Sequence, residues 1–175
     1  MDLKKSIIVI IMTIFLIINL TLLVKAEDPY PEASYIWNYL KDSGYNDAVA
    51  AGILGNIATE CAGSELHLEP FVYTECGNYY GICQWGLEWF PEVADLGLEE
   101  QCDFLLSNIE YMINLFGEDY FTNFDYDAFI SMEDEKDAAL AFAQCYERCH
   151  YSSYEERKEN AIFVLEYYTG AQTMN

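Results

Sequence analysis

The chain has few basic residues. Its 175 residues include 8 Lys and Arg against 30 Asp and Glu, which gives a formal net charge of −22 at pH 7. Proteins that bind nucleic acid or an anionic membrane surface need exposed basic patches. The charge therefore excludes nucleic acid as a partner, and we interpret the acidic excess as a means of keeping the domain soluble.

Histidines and closely spaced cysteine pairs are also scarce. His67 and His150 are the only histidines, and no two cysteines have the C-x-x-C spacing of a zinc site. The sequence contains no nucleotide-binding motif either. We therefore expect no metal and no cofactor.

Linkers, internal repeats and low-complexity tracts are absent, so a single domain is expected over residues 27–175. Before it, two lysines precede an apolar run at residues 7–24, and Val24 and Ala26 are small residues at the positions that a signal peptidase reads. Residues 1–26 are predicted to be a signal peptide or, alternatively, an uncleaved membrane anchor, because the run is just long enough to cross a bilayer. Both alternatives make the domain extracellular and limit membrane contact to this segment.

Six cysteines follow the N-terminal segment. In an oxidising compartment, an even number of cysteines in a small domain indicates disulfides. The alternative is a set of buried free thiols. The disulfide candidates are Cys61, Cys76, Cys83, Cys102, Cys145 and Cys149.

The hydrophobic pattern predicts an α+β, mainly helical fold. Apolar residues recur at helical spacing except in residues 63–85, whose glycines and aromatics indicate loops and a short β-hairpin after the second helix. Gly52 and Gly55 lie inside that second helix, where each costs about 1 kcal/mol relative to alanine. We therefore expect a neighbouring backbone to pass close to them. The predicted helices cover approximately residues 33–43, 46–60, 98–116, 131–146 and 154–168.

Glu60 is the residue that first suggests a function. Val49, Ile53, Ile57 and Glu60 follow one another at steps of four, four and three, which places them on one face of the second helix. Loss of water on an apolar face and the negative end of the helix dipole both favour a protonated carboxyl. Glycoside cleavage needs such a group to protonate the leaving oxygen. The ordinary alternative is a solvated or capping glutamate.

Four short segments carry a recognisable pattern. Residues 52–60 read GILGNIATE, and residues 80–85 read YGICQW. Residues 35–40 (YIWNYL) and 141–148 (AFAQCYER) add a helix before them and a helix after them. Together and in this order, the segments resemble the phage tail lysozyme family of the lysozyme-like superfamily. Four matches in order are more specific than any single motif.

The resemblance implies a lysozyme-like fold and bacterial peptidoglycan as the substrate. It also implies that Glu60 is the general acid and that Gln84, together with Tyr80 and Trp85, belongs to the sugar-binding floor. The aromatic face of Trp85 would suit stacking on a sugar ring, and a core tryptophan is an equally good interpretation.

Other positions depart from the family or have a structural interpretation. Residues 86–90 (GLEWF) replace a short turn that often ends in arginine, so the substrate subsites differ. Cys61 replaces the usual serine after the glutamate, and we predict a disulfide between Cys61 and Cys83. Residues 146–148 (YER) are interpreted as a structural tyrosine and an ion pair that ties the last helices to the catalytic one.

The sequence does not decide which residue supplies the second carboxylate of the reaction. An inverting hydrolase needs a base roughly 6.5–9.5 Å from the acid, and a retaining one needs a nucleophile at roughly 5–5.5 Å. Glu75, in the predicted hairpin region, is the candidate, and Glu65 and Glu69 are alternatives. A lytic transglycosylase needs no such partner, because the 6-hydroxyl of the substrate closes on the anomeric carbon.

Two classes of function follow from these observations. The first is a monomeric muramidase that cleaves between N-acetylmuramic acid and N-acetylglucosamine, or a lytic transglycosylase acting on the same bond. The second is a non-catalytic wall-binding module on a lysozyme-like scaffold. The altered residues 86–90 and the negative charge motivate the second hypothesis.

Overall fold

The computed structural model describes residues 28–64, 66–74 and 77–170, and most of these residues lie in helices. The predicted signal or anchor, residues 1–26, lies outside them. The mainly helical α+β fold expected from the sequence is confirmed. Within the described ranges, no helix is long and apolar enough to cross a membrane. The α-helices are α1 (Pro31–Asp42), α2 (Asp47–Cys61), α3 (Leu98–Tyr120), α4 (Tyr126–Ile130), α5 (Glu135–Phe142) and α6 (Tyr154–Thr169).

Helix α2 lies at the centre of the fold. Most of its residues are buried, because α1, α5 and α6 pack around it. Asn46 caps its first turn by accepting a hydrogen bond from the backbone nitrogen of Val49 at 2.9 Å. The Asn46 amide also donates to the carbonyls of Ile130 and Met132. The start of α2 is therefore tied to the segment between α4 and α5.

Two glycines of α2 allow the other helices to come close. A Cβ at Gly52 would lie 2.7 Å from the Cβ of Ala138 in α5, and a Cβ at Gly55 would lie 2.6 Å from the backbone nitrogen of Ala161 in α6. Both separations are shorter than carbon atoms tolerate. The close backbone approach expected from these interior glycines is thus confirmed.

The variant Gly55→Ala is expected to lower the free energy of unfolding by about 1–3 kcal/mol, because α2 or α6 must move to admit the methyl group. Urea denaturation measures the change. Gly97→Ala is the matched control, since a Cβ there meets only the flexible carboxylate end of Glu100. If Gly55→Ala were as stable as the wild type, the tight crossing of α2 and α6 would be contradicted.

Two small antiparallel sheets follow α2, where the sequence predicted one hairpin. Strand β1 (Ala62–Ser64) pairs with β2 (His67–Leu68), and β3 (Tyr79–Tyr80) pairs with β4 (Trp85–Gly86). Such short strands need support from packed helices, because an isolated two-stranded sheet is barely stable in water. The tight turn between β3 and β4 carries the YGICQW segment.

Helix α5 ends in a π-helical turn, Ala143–Glu147, whereas the sequence predicted a regular helix through this region. Arg148 ends the turn in the left-handed conformation, with φ 52°, and the Cys149 nitrogen donates to the Ala143 carbonyl at 3.2 Å. Single π turns within helices are rare and are frequent at functional sites. This turn brings the Glu147 carboxyl to the end of α2.

The predicted disulfides are absent among the described cysteines. Cys61, Cys83, Cys102, Cys145 and Cys149 are all free thiols, and Cys76 lies outside the described residues. The first four of these thiols are buried on separate elements, where cysteine packs as a small apolar side chain. Burial raises the pKa of each of these four thiols, to about 12 for Cys61 and Cys102, about 11 for Cys145 and well above its usual range for Cys83, so they are poor nucleophiles.

Candidate active site

A cleft lies beside the C-terminal end of α2 and consists of two adjoining cavities. The first cavity has a volume of about 520 Å³ and the second about 640 Å³, which suits an extended small ligand. Four residues line both cavities: Glu60, Thr74, Tyr79 and Gln84. The structure thus brings together Glu60 and Gln84, which the sequence selected separately.

Glu60 lies in the last turn of α2 with 22% of its side chain exposed. Its carboxylate accepts a hydrogen bond from the guanidinium of Arg157, a buried residue of α6. The helical pattern predicted an apolar surrounding for Glu60 and gave no indication of this cation. The Glu60 carboxylate therefore belongs to an ion pair, and the expectation of a purely apolar environment for Glu60 is wrong.

Arg157 belongs to a buried network that joins three helices. It donates to the side-chain oxygen of Asn56 at 2.8 Å and to Ser153 Oγ at 3.2 Å. The Asn56 amide in turn donates to the carbonyls of Gly52 and Ala139. Because every one of these partners is held by helix backbone or packing, the network fixes the position of Arg157 and, through it, of Glu60.

Glu147 places a second carboxyl group on the wall of the first cavity. Its Oε1 is buried and has no hydrogen-bond partner among the described residues. Burial, and next the charge of Glu60, raise the pKa of Glu147 to about 8, and the nearby Arg157 and a hydrogen bond with the Cys83 thiol only partly oppose this. Glu147 is therefore protonated over most of the neutral range.

The structural interpretation of residues 146–148 is only partly correct. The Tyr146 hydroxyl accepts a hydrogen bond from the Trp85 indole at 3.1 Å, which is a structural role. Arg148, however, lies 4.1 Å from the ring centre of Phe116 and makes no ion pair with Glu147. The ion pair that ties the last helix to α2 is formed by Arg157 instead.

Gln84 is held in an unusual backbone conformation at the boundary of the two cavities. Its φ of 44° is uncommon for a residue other than glycine and is found where the surroundings impose it. Its Nε2 donates to the Gly81 carbonyl at 3.0 Å. Buried Gln101 supports the same turn, because its Oε1 accepts from the Ile82 nitrogen and its Nε2 donates to the Pro70 and Leu96 carbonyls.

Tyr80 and Trp85, selected for the sugar-binding floor, are both buried. Tyr80 lines neither cavity, and its hydroxyl donates to the Leu96 carbonyl. Trp85 lines the first cavity, but it is only 5% exposed and its indole nitrogen is bonded to Tyr146. The alternative interpretation of Trp85 as a core tryptophan describes it better, because its ring faces are covered by packing.

Two exposed aromatic residues of the cleft were not selected from the sequence. Trp89 is 77% exposed and lines the first cavity, and Tyr79 is 49% exposed and lines both. The sequence offered no signal that separates exposed Tyr79 from buried Tyr80, because the two are identical residues and only their opposite faces on β3 distinguish them. For Trp89 the signal was the unusual segment at residues 86–90.

Among the candidates for the second carboxylate, Glu69 lines the second cavity and is exposed. Glu75 and Glu65 lie outside the described residues. In the described part of the chain, no three His, Cys, Asp or Glu side chains gather as a metal site requires.

Comparison with known proteins adds one finding. The sequence profile of the phage tail lysozyme family matches residues 31–168, which extends from the first residue of α1 into the last turn of α6. The resemblance drawn from four short segments is therefore confirmed. No curated protein matches the chain.

Proposed function

Because the chain belongs to the phage tail lysozyme family, whose activity is lysozyme-like degradation of peptidoglycan, we propose that it cleaves the bond between N-acetylmuramic acid and N-acetylglucosamine. Glu60 is the general acid of this proposal. The observation that carries it is the shared boundary of the two cavities, where Glu60 and Gln84 face the same space beside exposed aromatic side chains. We also propose that the protein acts outside the cytoplasm as a monomer.

The proposed reaction begins when Glu60 gives its proton to the glycosidic oxygen as the bond from that oxygen to the anomeric carbon breaks. In hydrolysis, water adds its hydroxyl to the anomeric carbon and a second carboxylate takes the remaining proton. Glu69 is the described candidate for this base, and Glu75 stays a prediction. In a lytic transglycosylase, the oxygen of the muramic 6-hydroxyl adds to the anomeric carbon instead, its proton returns to the Glu60 carboxylate, and no water is consumed.

The products distinguish these two reactions. Purified peptidoglycan is digested with the protein, and the fragments are separated and weighed by mass spectrometry. Reducing muramic ends support hydrolysis, and 1,6-anhydro ends, lighter by one water, support the transglycosylase. Intact glycan strands after prolonged digestion at several pH values would contradict both.

The Glu60–Arg157 ion pair favours one further candidate, a non-catalytic glycan-binding module. A carboxylate bonded to a guanidinium is not by itself a proton donor, and an exposed tryptophan is typical of a binding surface. Under this alternative the protein binds insoluble peptidoglycan, and the wall remains uncleaved.

The variant Trp89→Ala is expected to weaken binding of glycan fragments about tenfold. Covering about 60 Å² of the exposed ring, at roughly 25 cal/mol per Å², contributes about 1.5 kcal/mol to binding. Titration calorimetry with a soluble peptidoglycan oligosaccharide measures the effect. Tyr111→Ala is the matched control, since Tyr111 is 65% exposed and lines neither cavity. Equal affinity of the two variants would remove Trp89 from the binding surface.

A further inference from the structure

The ion pair at Glu60 leaves the source of the catalytic proton unexplained. A general acid must carry a proton, yet Glu60 is bonded to the guanidinium of Arg157, a contact that a charged carboxylate makes. The wall of the same cavity contains a second carboxyl group, on Glu147. Arg157 therefore bonds one carboxyl group, that of Glu60, and acts electrostatically on a second, that of Glu147.

We propose that Glu147 is the proton-holding partner of Glu60, so that the two carboxyl groups carry one proton between them beside Arg157. In the free protein the proton resides on Glu147, and when glycan covers the cavity it passes to Glu60. This inference rests on the proposed function, because it concerns the same site and reaction. Glu147 acts through Glu60 and is a positioning residue.

Charge balance at the site supports this arrangement. One guanidinium neutralises one carboxylate, and a second buried carboxylate would be uncompensated, which is costly in a low-dielectric interior. A proton on either carboxyl restores neutrality of the three groups. Two carboxyl groups that interact in this way titrate as a unit, and one member of the pair stays protonated at a pH well above that at which an isolated carboxyl loses its proton.

The other titratable groups that face Glu147 do not compete for this charge. Cys61 at the end of α2, Cys83 in the turn between β3 and β4, and Tyr146 on the π turn all have a raised pKa caused mainly by burial, so they remain neutral. Glu60 and Arg157 are therefore the charged groups next to Glu147 in the described part of the chain. The Cys83 thiol also forms a hydrogen bond with the Glu147 carboxyl, and this bond has the weakest of the effects on its pKa. The buried Oε1 of Glu147 has no partner of its own, and the proposal assigns the proton to it.

Transfer of the proton keeps the charge of the site unchanged. Glu147 loses its proton and becomes the carboxylate that balances Arg157, while Glu60 gains the proton and becomes neutral. Covering the cleft favours this direction, because Glu60, whose side chain is 22% exposed in the free protein, loses its contact with water when glycan binds. Glu60 then protonates the glycosidic oxygen.

The variant Glu147→Gln tests the proposal, because glutamine keeps the shape of the neutral carboxyl but holds no exchangeable acid proton. The wild-type site loses the Glu147 proton near pH 8, where the pKa of Glu147 lies, and the variant has no such proton to hold in reserve. The alkaline limb of the kcat/KM profile should therefore move down by one pH unit or more. The rate at pH 7 should fall at least tenfold and largely recover at pH 5.

A structural role alone would lower the rate equally at every pH, and that outcome, or an unchanged profile, overturns the proposal. Glu147→Asp keeps an acid proton. The alkaline limb of its kcat/KM profile is therefore expected at the wild-type pH, even if the rate itself is lower. Glu156→Gln makes the same substitution at an exposed position next to Arg157 and should leave the pH profile unchanged.

A readout without turnover separates this proposal from the proposed function. In the protein labelled with carboxyl-¹³C glutamate, one NMR signal should titrate near pH 8 in the wild type and be missing in Glu147→Gln. Absence of that signal in the wild type overturns the shared proton. If the signal is present and the wild type cleaves no glycan, the proposed reaction fails while the shared proton stands.

Discussion

Replacing Glu60 by glutamine is expected to reduce glycan cleavage by at least about 100-fold, and up to about 10,000-fold, the range that general acid catalysis contributes. Glutamine keeps the length of the side chain, and its carbonyl oxygen still accepts a hydrogen bond from Arg157. It has no acid proton to give to the leaving oxygen. The release of soluble fragments from purified wall measures the loss.

Two controls make this result specific. Glu156→Gln changes an exposed glutamate that lines neither cavity and should retain the wild-type rate. Thermal unfolding of Glu60→Gln should be close to that of the wild type, so that the loss is assigned to chemistry. Retention of wild-type activity by Glu60→Gln would remove Glu60 from the reaction and favour another acid in the cleft.

Replacing Arg157 by methionine is expected to lower the free energy of unfolding by about 3–5 kcal/mol at pH 8, because it removes the buried cation that compensates the carboxyl groups of Glu60 and Glu147. Arg157 is buried and bonds both Asn56 and Glu60. Methionine fills part of the volume but satisfies neither partner. Urea denaturation at several pH values measures the change.

The pH dependence of this variant has a definite sign. The pKa of Glu147 is raised to about 8 in the folded protein from an ordinary value of 4.5, so the folded state holds its proton more tightly than the unfolded state. Such a group stabilises the fold below its unfolded pKa and loses that contribution as the pH rises to about 8. Without Arg157 the effect grows, so Arg157→Met should be closest to the wild type near pH 4.5 and furthest from it at pH 8.

Arg148→Met is the matched control for this variant. Arg148 is exposed, and its guanidinium lies over the Phe116 ring, a contact worth about 0.5–1 kcal/mol at such a site. Removing the Arg148 guanidinium should lower the free energy of unfolding only slightly, and the loss should not depend comparably on pH. If Arg157→Met were as stable as Arg148→Met at pH 8, the buried network would not contribute to stability.

Local sequence patterns were sufficient to predict most of the helices. The steps of four, four and three residues that place Glu60 on one face of α2 depend only on helix geometry, and the interior glycines indicated close helix crossings before any partner was known. The two short sheets and the π turn were less predictable. Each depends on hydrogen bonds and packing from distant segments, such as the bonds of Gln101 to three different loops.

The features of the candidate active site also divide into those that the sequence determined and those that the tertiary structure decided. The sequence by itself determined the family, the helix that carries Glu60 and the turn that carries Gln84, because these are short segments with their own periodicity and motifs. Only the tertiary structure decided that Arg157, 97 residues along the chain from Glu60, bonds its carboxylate, and that the Glu147 carboxyl, with its Oε1 buried, lies on the same cavity wall. The reason is physical: a helix pattern shows which face is inward, but the charge that meets that face depends on how distant helices pack against it.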